Sequence, residues 1–182
     1  MDRRQGVWRR RGEKYTHPCV RQTNRWGGAS VMVWGGILTR RKTELVVVDG
    51  NLTAQRYIDL ILRPVVIPFM NTHRDITIFQ QDNARPHSAR TTQSFLRDHN
   101  IDILPWPPYS PDQSPIEHLW ETSQLKCAIS RRPSPPRNTC DLITAVHEEW
   151  DRIPQSVVRR LIDSMHRRCV ACCNALGGHT RY

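Results

Sequence analysis

Long hydrophobic runs are missing from this chain of 182 residues. Its longest, such as Leu45 to Val48 and Val65 to Ile67, fall far short of the ~20 apolar residues that cross a bilayer. No membrane partner is expected. The basic opening MDRRQGVWRRRGEKY is not followed by an apolar segment, so it does not read as a secretory signal. A cytosolic or nuclear location, both reducing, is therefore expected, and the six cysteines (Cys19, Cys127, Cys140, Cys169, Cys172 and Cys173) are expected as thiols. No segment repeats at a fixed period, which excludes solenoid architectures. Acidic residues are also short in supply: 17 against 27 lysines and arginines, a formal charge of +10. Six tryptophans and a charged fraction of 24% separate the chain from disordered polyelectrolytes, which lack large apolar anchors. A folded basic domain attracts polyanions, and nucleic acid is the foremost candidate.

What is present is a succession of short strands and helices. Ser30 to Leu38 (SVMVWGGIL) reads as a strand, with Gly35-Gly36 marking a bulge or a close backbone approach. A basic turn at Thr39 to Lys42 leads to a second strand, Glu44 to Val48, and the two read as a hairpin. After the Asp49-Gly50-Asn51 turn, Thr53 can cap a helix whose Tyr57, Ile58, Ile61, Leu62, Val65, Val66 and Phe69 form one apolar stripe. Pro64 and Pro68 within it predict a kink or an early end. A strand over Ile76 to Gln80 follows, then a helix capped by Ser88, then a strand over Ile101 to Leu104. The proline-rich WPPYSPDQSP (Trp106 to Pro115) reads as a stiff loop. Helices are expected over Pro115 to Ile129, Thr139 to Arg152 and Pro154 to Leu176, the last closed by Gly177-Gly178. The order ββαβαβααα indicates one α/β domain with a helical tail.

Two acids stand at informative places. Asp82 lies just past a strand's C-terminal end, where ligand-binding residues gather in α/β sheets. Asp82-Asn83 is equally good turn chemistry. Ser114, Pro115, Ile116 and Glu117 read as a capping box, which accounts for Glu117 without any chemistry. Ile116, Leu119 and Trp120 then form the buried side of that turn.

The segments SVMVWGGI (Ser30 to Ile37), FQQDNARPHSA (Phe79 to Ala89), WPPYSPDQSPIEHLW (Trp106 to Trp120) and GGHTRY (Gly177 to Tyr182), with 34 residues between Asp82 and Glu117, resemble the catalytic domain of the Tc1/mariner transposases. The resemblance implies an α/β, RNase H-like fold, a mixed sheet flanked by helices, in which three carboxylates hold two Mg²⁺ ions, with Mn²⁺ as substitute. It makes Asp82 the second catalytic, metal-holding acid and Glu117 the third, with Asn83 and His87 in supporting places. Carboxylates suit this task because Mg²⁺ is a hard ion that prefers oxygen ligands. Two such ions promote in-line displacement at phosphorus, the reaction that cuts and joins DNA strands.

The family's first acid sits on a first strand ending in Ser/Thr-Asp-Glu-Ser, and this sequence holds no such stretch. Its opening resembles the family's DGR-x-VWRRRGE-x-Y segment, so Asp2 matches a loop position; Asp49, in a turn, is no better placed. The expectation is a single, N-terminally truncated domain over 1–182, with a basic arm or strand at 1–29, an RNase H-like core at 30–130 and C-terminal helices at 138–182. Without its first strand and first acid it is expected to be inactive alone and to leave sheet backbone unpaired. Glu121 to Ser130, ETSQLKCAIS, also departs from the acidic-then-basic helix usual in the family. Besides the enzyme-fragment reading stand a non-catalytic remnant that holds DNA or a full-length transposase, or pairs with itself, and a pseudogene product.

Arginine pairs at Arg3-Arg4, Arg9 to Arg11, Arg40-Arg41, Arg131-Arg132, Arg159-Arg160 and Arg167-Arg168 suit phosphate contacts without base readout, or simply a solvated face. His166, Cys169 and Cys172 fall at helical spacing but one ligand short of a zinc site, and are read as core. Trp34, Trp106 and Trp120 are read as packing anchors rather than base-stacking platforms.

Overall fold

The computed structural model describes residues 30–73, 76–108, 110–121 and 125–175. The basic arm with Asp2, the Asp75 strand entry and the GGHTRY end lie outside the described residues. Strand β1 (Met32–Trp34) pairs antiparallel with β2 (Val46–Val48), in register Met32 to Val48 and Trp34 to Val46. This is the expected hairpin, closed at its turn by the Leu38 N–H donating to the Arg41 carbonyl. β1 is shorter than predicted because the glycine pair interrupts it. Gly36 instead exchanges hydrogen bonds with Thr43: its N–H donates to Thr43 Oγ1 at 2.8 Å, and its carbonyl accepts from the Thr43 N–H.

Alternation along the hairpin sends side chains to two separate cores. Val31, Val33 and Leu45 pack with Leu119, Val146 and Trp150, whereas Trp34, Val46 and Val48 pack with Tyr57, Ile61 and Leu62. Helices thus cover both faces of the hairpin, the arrangement of an α/β layer.

The helix after β2 begins as expected, with Thr53 Oγ1 accepting from the Arg56 N–H, and Gly50 takes a positive φ of 65° in the turn before it. It neither ends nor breaks at Pro64. α1 (Ala54–Tyr57) runs into a π-helical stretch (Ile58–Val66) and then α2 (Ile67–Thr72). A proline ring collides with the carbonyl four residues back in an α-helix. The π register moves the hydrogen bonding to five residues back, as in the Ile67 N–H donating to the Leu62 carbonyl. The apolar stripe stays buried throughout, Phe69 only in part.

β3 (Ile78–Phe79) pairs in parallel with β4 (Asp102–Ile103). Parallel pairing demands a crossover, supplied by α3 (Arg85–Ser88) and α4 (Arg90–Asp98). Ser88 does not cap α4 as predicted: it closes α3, its hydroxyl donating to the Ala84 carbonyl, and Ala89 precedes α4. Among the described residues the expected mixed pairing is split into two short ladders. The proline-rich loop contains one 3₁₀ turn, Pro111–Gln113, where irregular structure was expected.

α5 (Pro115–Glu121), α6 (Leu125–Ser130) and α7 (Thr139–Arg152) follow, α7 with the predicted bounds and Asn138 as its cap. The last predicted helix is two, α8 (Gln155–Asp163) and α9 (Met165–Asn174), and Pro154 is the residue before α8 rather than within its first turn. The break falls at Ser164, whose hydroxyl donates to the Leu161 carbonyl and accepts from Nε of the buried Arg168. Arg168 and Ser164 therefore form the inner face of this region. His166, Cys169 and Cys173 are exposed and Cys172 is half-buried, which corrects the core assignment.

Gly35 lies beneath two stacked indoles, Trp120 and Trp150, whose ring centroids are 5.1 Å apart. A Cβ on Gly35 would sit 3.0 Å from Trp150 and 3.3 Å from Trp120. Trp150 is fully buried and cannot retreat. Gly35→Ala is expected to lower the unfolding free energy by about 1–3 kcal/mol through overpacking, read as a lower urea midpoint at unchanged m-value.

Candidate functional site

A cleft of about 530 Å³ opens between the two ladders. Val33 and Trp34 of β1, with Gly35, Gly36 and the turn after them, line one side, and Ile78 and Phe79 of β3, with the loop from Gln80 to Asp82, line the other. The residues of β2 and β4 do not line it. Among the described residues the carboxylates on its walls are Asp82 and Glu117, with His87, Trp106 and Ser114 nearby. The two acids singled out in the sequence thus lie on one cleft. No group of three or more His, Cys, Asp or Glu side chains suited to a metal ion occurs among the described residues. Neither Asp49 nor the α9 histidine and cysteines belong to this cleft.

Asp82 combines both of its readings. The strand stops at Phe79, and Asp82 Oδ1 accepts from the Ala84 N–H at 3.0 Å, a local turn bond that opens α3. The same oxygen lies 2.5 Å from Nδ1 of His87, while the Asp82 side chain remains 59% exposed. Asn83 Nδ2 donates to the Trp106 carbonyl at 2.8 Å, tying this loop to the proline-rich stretch that leads to Glu117. Thr92, fully buried on α4, donates to the Pro86 carbonyl at 2.7 Å and holds the α3 turn from below.

Glu117 is placed by packing. It stands in the first turn of α5, half-buried, with Leu119 fully buried one side and Ile116 and Trp120 against the same core. Ser114 is buried and extended immediately before Pro115.

The residue that sequence reasoning assigned only to the core is Tyr57. Its ring lies 4.3 Å from the His87 ring, and its hydroxyl donates to Gln81 Oε1 at 2.9 Å. Gln81 Nε2 in turn donates to the His87 carbonyl at 3.3 Å. Burial pushes the Tyr57 phenol well above its ordinary range, the nearby Asp82 charge adds to this, and a hydrogen bond with the Trp34 side chain opposes it. No sequence signal announced this role, because Tyr57 and Gln81 are 24 positions apart and share no motif.

The architecture matches that of solved transposases. It superposes on the Mos1 transposase catalytic domain with raltegravir and Mg at a TM-score of 0.70, with 20% identity over 83% of this chain and 77% of that one. The Mos1 paired-end complex with the left transposon end gives a TM-score of 0.72, at 20% identity over 98% of this chain and 52% of that one. The fold is RNase H-like, that of a transposase catalytic domain. Residues 1–139 match the DDE superfamily endonuclease family. The Tc1 transposase of Caenorhabditis elegans is 34% identical over 98% of this chain and 63% of its own length. The Tcb1 transposase of Caenorhabditis briggsae is 33% identical over 96% of this chain and 63% of its own. The chain belongs to the DDE superfamily endonuclease family and, within it, to the Tc1/mariner group; it spans 63% of the length of these two relatives.

Because the folded protein holds the Tyr57 phenol protonated beyond its ordinary value of 10.0, its contribution to stability is complete below that pH. It is lost as pH rises through the raised folded value. Wild-type unfolding free energy is expected to fall more steeply above pH 10 than that of Tyr57→Phe, in parallel denaturation curves. Identical slopes would show that the phenol is not held protonated by the fold.

Proposed function

We propose that the cleft is a divalent-metal-dependent phosphoryl-transfer site for DNA strand cleavage and joining, in which Asp82 and Glu117 hold the metal. The observation that carries this reading is the meeting of the two acids, with 34 residues between them in sequence, on the wall of one cleft between the two ladders. The donor set fits a hard cation: carboxylate oxygens are the ligands Mg²⁺ prefers, and Mg²⁺ completes its octahedron with water. When bound, such ions activate an attacking water or 3′-hydroxyl and stabilise the leaving oxygen. The relatives named above are transposases, and Mos1 structures hold Mg or Mn and transposon-end DNA.

The cleft's two described carboxylates are one fewer than the three that the family resemblance implies. Residues 1–182 by themselves are accordingly proposed to cleave DNA poorly. A second copy of the chain or a full-length transposase is the protein partner in this reading, and the nucleus is the site of action. Exposed Arg40 and Arg41 at the hairpin turn, with Arg131, Arg160 and Arg167, supply sequence-independent phosphate contacts.

The decisive assay is strand cleavage of transposon-end DNA with Mg²⁺ or Mn²⁺. Little or no cutting is expected from the chain alone, and any metal-dependent cutting is expected to be abolished by either Asp82→Ala or Glu117→Ala; cutting that survives both changes would refute the site. DNA affinity is expected to fall with salt, and the double change Arg40→Ala, Arg41→Ala to flatten the log–log slope by about 2. A wild-type affinity indifferent to salt would contradict DNA binding through these arginines.

A further inference from the structure

We infer that His87 is a positioning residue that fixes the orientation of the Asp82 carboxylate for metal binding, and that Tyr57 and Gln81 hold His87 in turn. This rests on the proposed role of Asp82 and goes one shell outward from it. Oδ1 of Asp82 is met by two nitrogens, the Ala84 N–H at 3.0 Å and His87 Nδ1 at 2.5 Å. Rotation of the carboxylate about its own bond would break both. An ionised carboxylate only accepts hydrogen bonds, so the contact requires the hydrogen of His87 to be on Nδ1.

His87 is the better buried of the two. The His87 side chain is 13% exposed against 59% for Asp82. Without a buried neighbour, a side chain so exposed samples several rotamers, each of which points the carboxylate oxygens in a different direction. The imidazole is clamped on one face by the Tyr57 ring at 4.3 Å, and its backbone carbonyl accepts from Gln81 Nε2. Gln81 is itself oriented by the Tyr57 hydroxyl. The chain of contacts ends in the core, because Tyr57 is fully buried beside Ile61 and Leu62. Such outer partners of metal-holding side chains typically change metal affinity by 10–100-fold when removed.

The test uses the full chain, as His87→Ala and His87→Asn, with Asp82→Ala as reference. Asparagine can place an N–H close to the position of Nδ1, whereas alanine cannot. Mn²⁺ binding is read from the loss of the free-ion electron paramagnetic resonance signal. Affinity is expected to fall about 10–100-fold in His87→Ala and to return to within about threefold of wild type in His87→Asn. The second readout needs no metal: amide hydrogen exchange at Ala84, whose N–H donates to Asp82, compared with Thr43, whose N–H donates to Gly36 in the hairpin on the opposite wall of the cleft. His87→Ala is expected to speed exchange at Ala84 more than tenfold with Thr43 unchanged, and His87→Asn to restore it. Unchanged exchange at Ala84 in His87→Ala overturns the proposal whether or not Mn²⁺ binds. Equal acceleration at both amides means general loosening of the fold and overturns it too. If Asp82→Ala leaves Mn²⁺ affinity intact, the metal-holding role of Asp82 fails, an outcome the exchange measurement keeps separate from the His87–Asp82 contact.

Discussion

The seating of Trp150 against the hairpin is the contact on which the rest of the structure depends. The indole of α7 lies over Gly35, where any side chain would exclude it, and its Nε1–H donates to the Thr43 carbonyl at 3.0 Å. Lys42, the preceding residue, reaches over the Trp150 ring and donates to the carbonyls of Trp150, Asp151 and Ile153 at the end of α7. These carbonyls lie at the C-terminal end of α7, where a cation adds hydrogen bonds and answers the helix dipole. Desolvation lowers the Lys42 pKa and the charge of Asp151 opposes it. Trp120 of α5 stacks on Trp150 over the same glycine. Glu117 is three residues earlier on that helix. One missing Cβ therefore sets the distance between the hairpin and the helix that carries a site carboxylate.

The opposite wall of the cleft is held by a separate core. Tyr57 is anchored by the π-helical stretch, and from it contacts run through Gln81 and His87 to Asp82. The wide register around Pro64 is part of this anchoring, because a helix broken there would lose the continuous face that buries Tyr57, Ile61 and Val65 together. The two site acids are thus fastened to different cores, and the Asn83 to Trp106 hydrogen bond is a direct tie between their loops. π-helical segments recur at functional sites because they present side chains that an α register would turn away.

Features governed by neighbours in sequence were legible before any coordinates. The hairpin follows from β-branched runs around a basic turn, the Thr53 cap from its hydroxyl, and the limits of α7 from Asn138 and an apolar stripe. The two acids were legible only through the motifs that hold them, since each alone is explained by turn or capping chemistry. What failed depended on distant partners. Pro64 reads as a breaker until the i−5 register is seen, and Ser164 splits a helix because a buried arginine four residues on bonds to it. The cysteines of α9 fall at core spacing, yet Arg168 and Ser164 take the inner face and turn Cys169 and Cys173 outward.

The same distinction governs what the net charge means. Counting residues gives +10 and treats every arginine as surface. Arg132, however, donates to Glu149 at 2.7 Å and Glu148 at 2.6 Å, clasping the linker after α6 to α7, and Glu149 also receives Arg152. Arg168 is 3% exposed and bonded within its own helix. These two charges serve the fold. The arginines of the hairpin turn, Arg40 and Arg41, are exposed, and they project from the same element whose glycines seat Trp150 and border the cleft. A polyanion drawn to this surface would accordingly be met by a rigid edge of the cleft, because the turn is locked by Lys42 and Thr43 to the end of α7, whose Trp150 is buried.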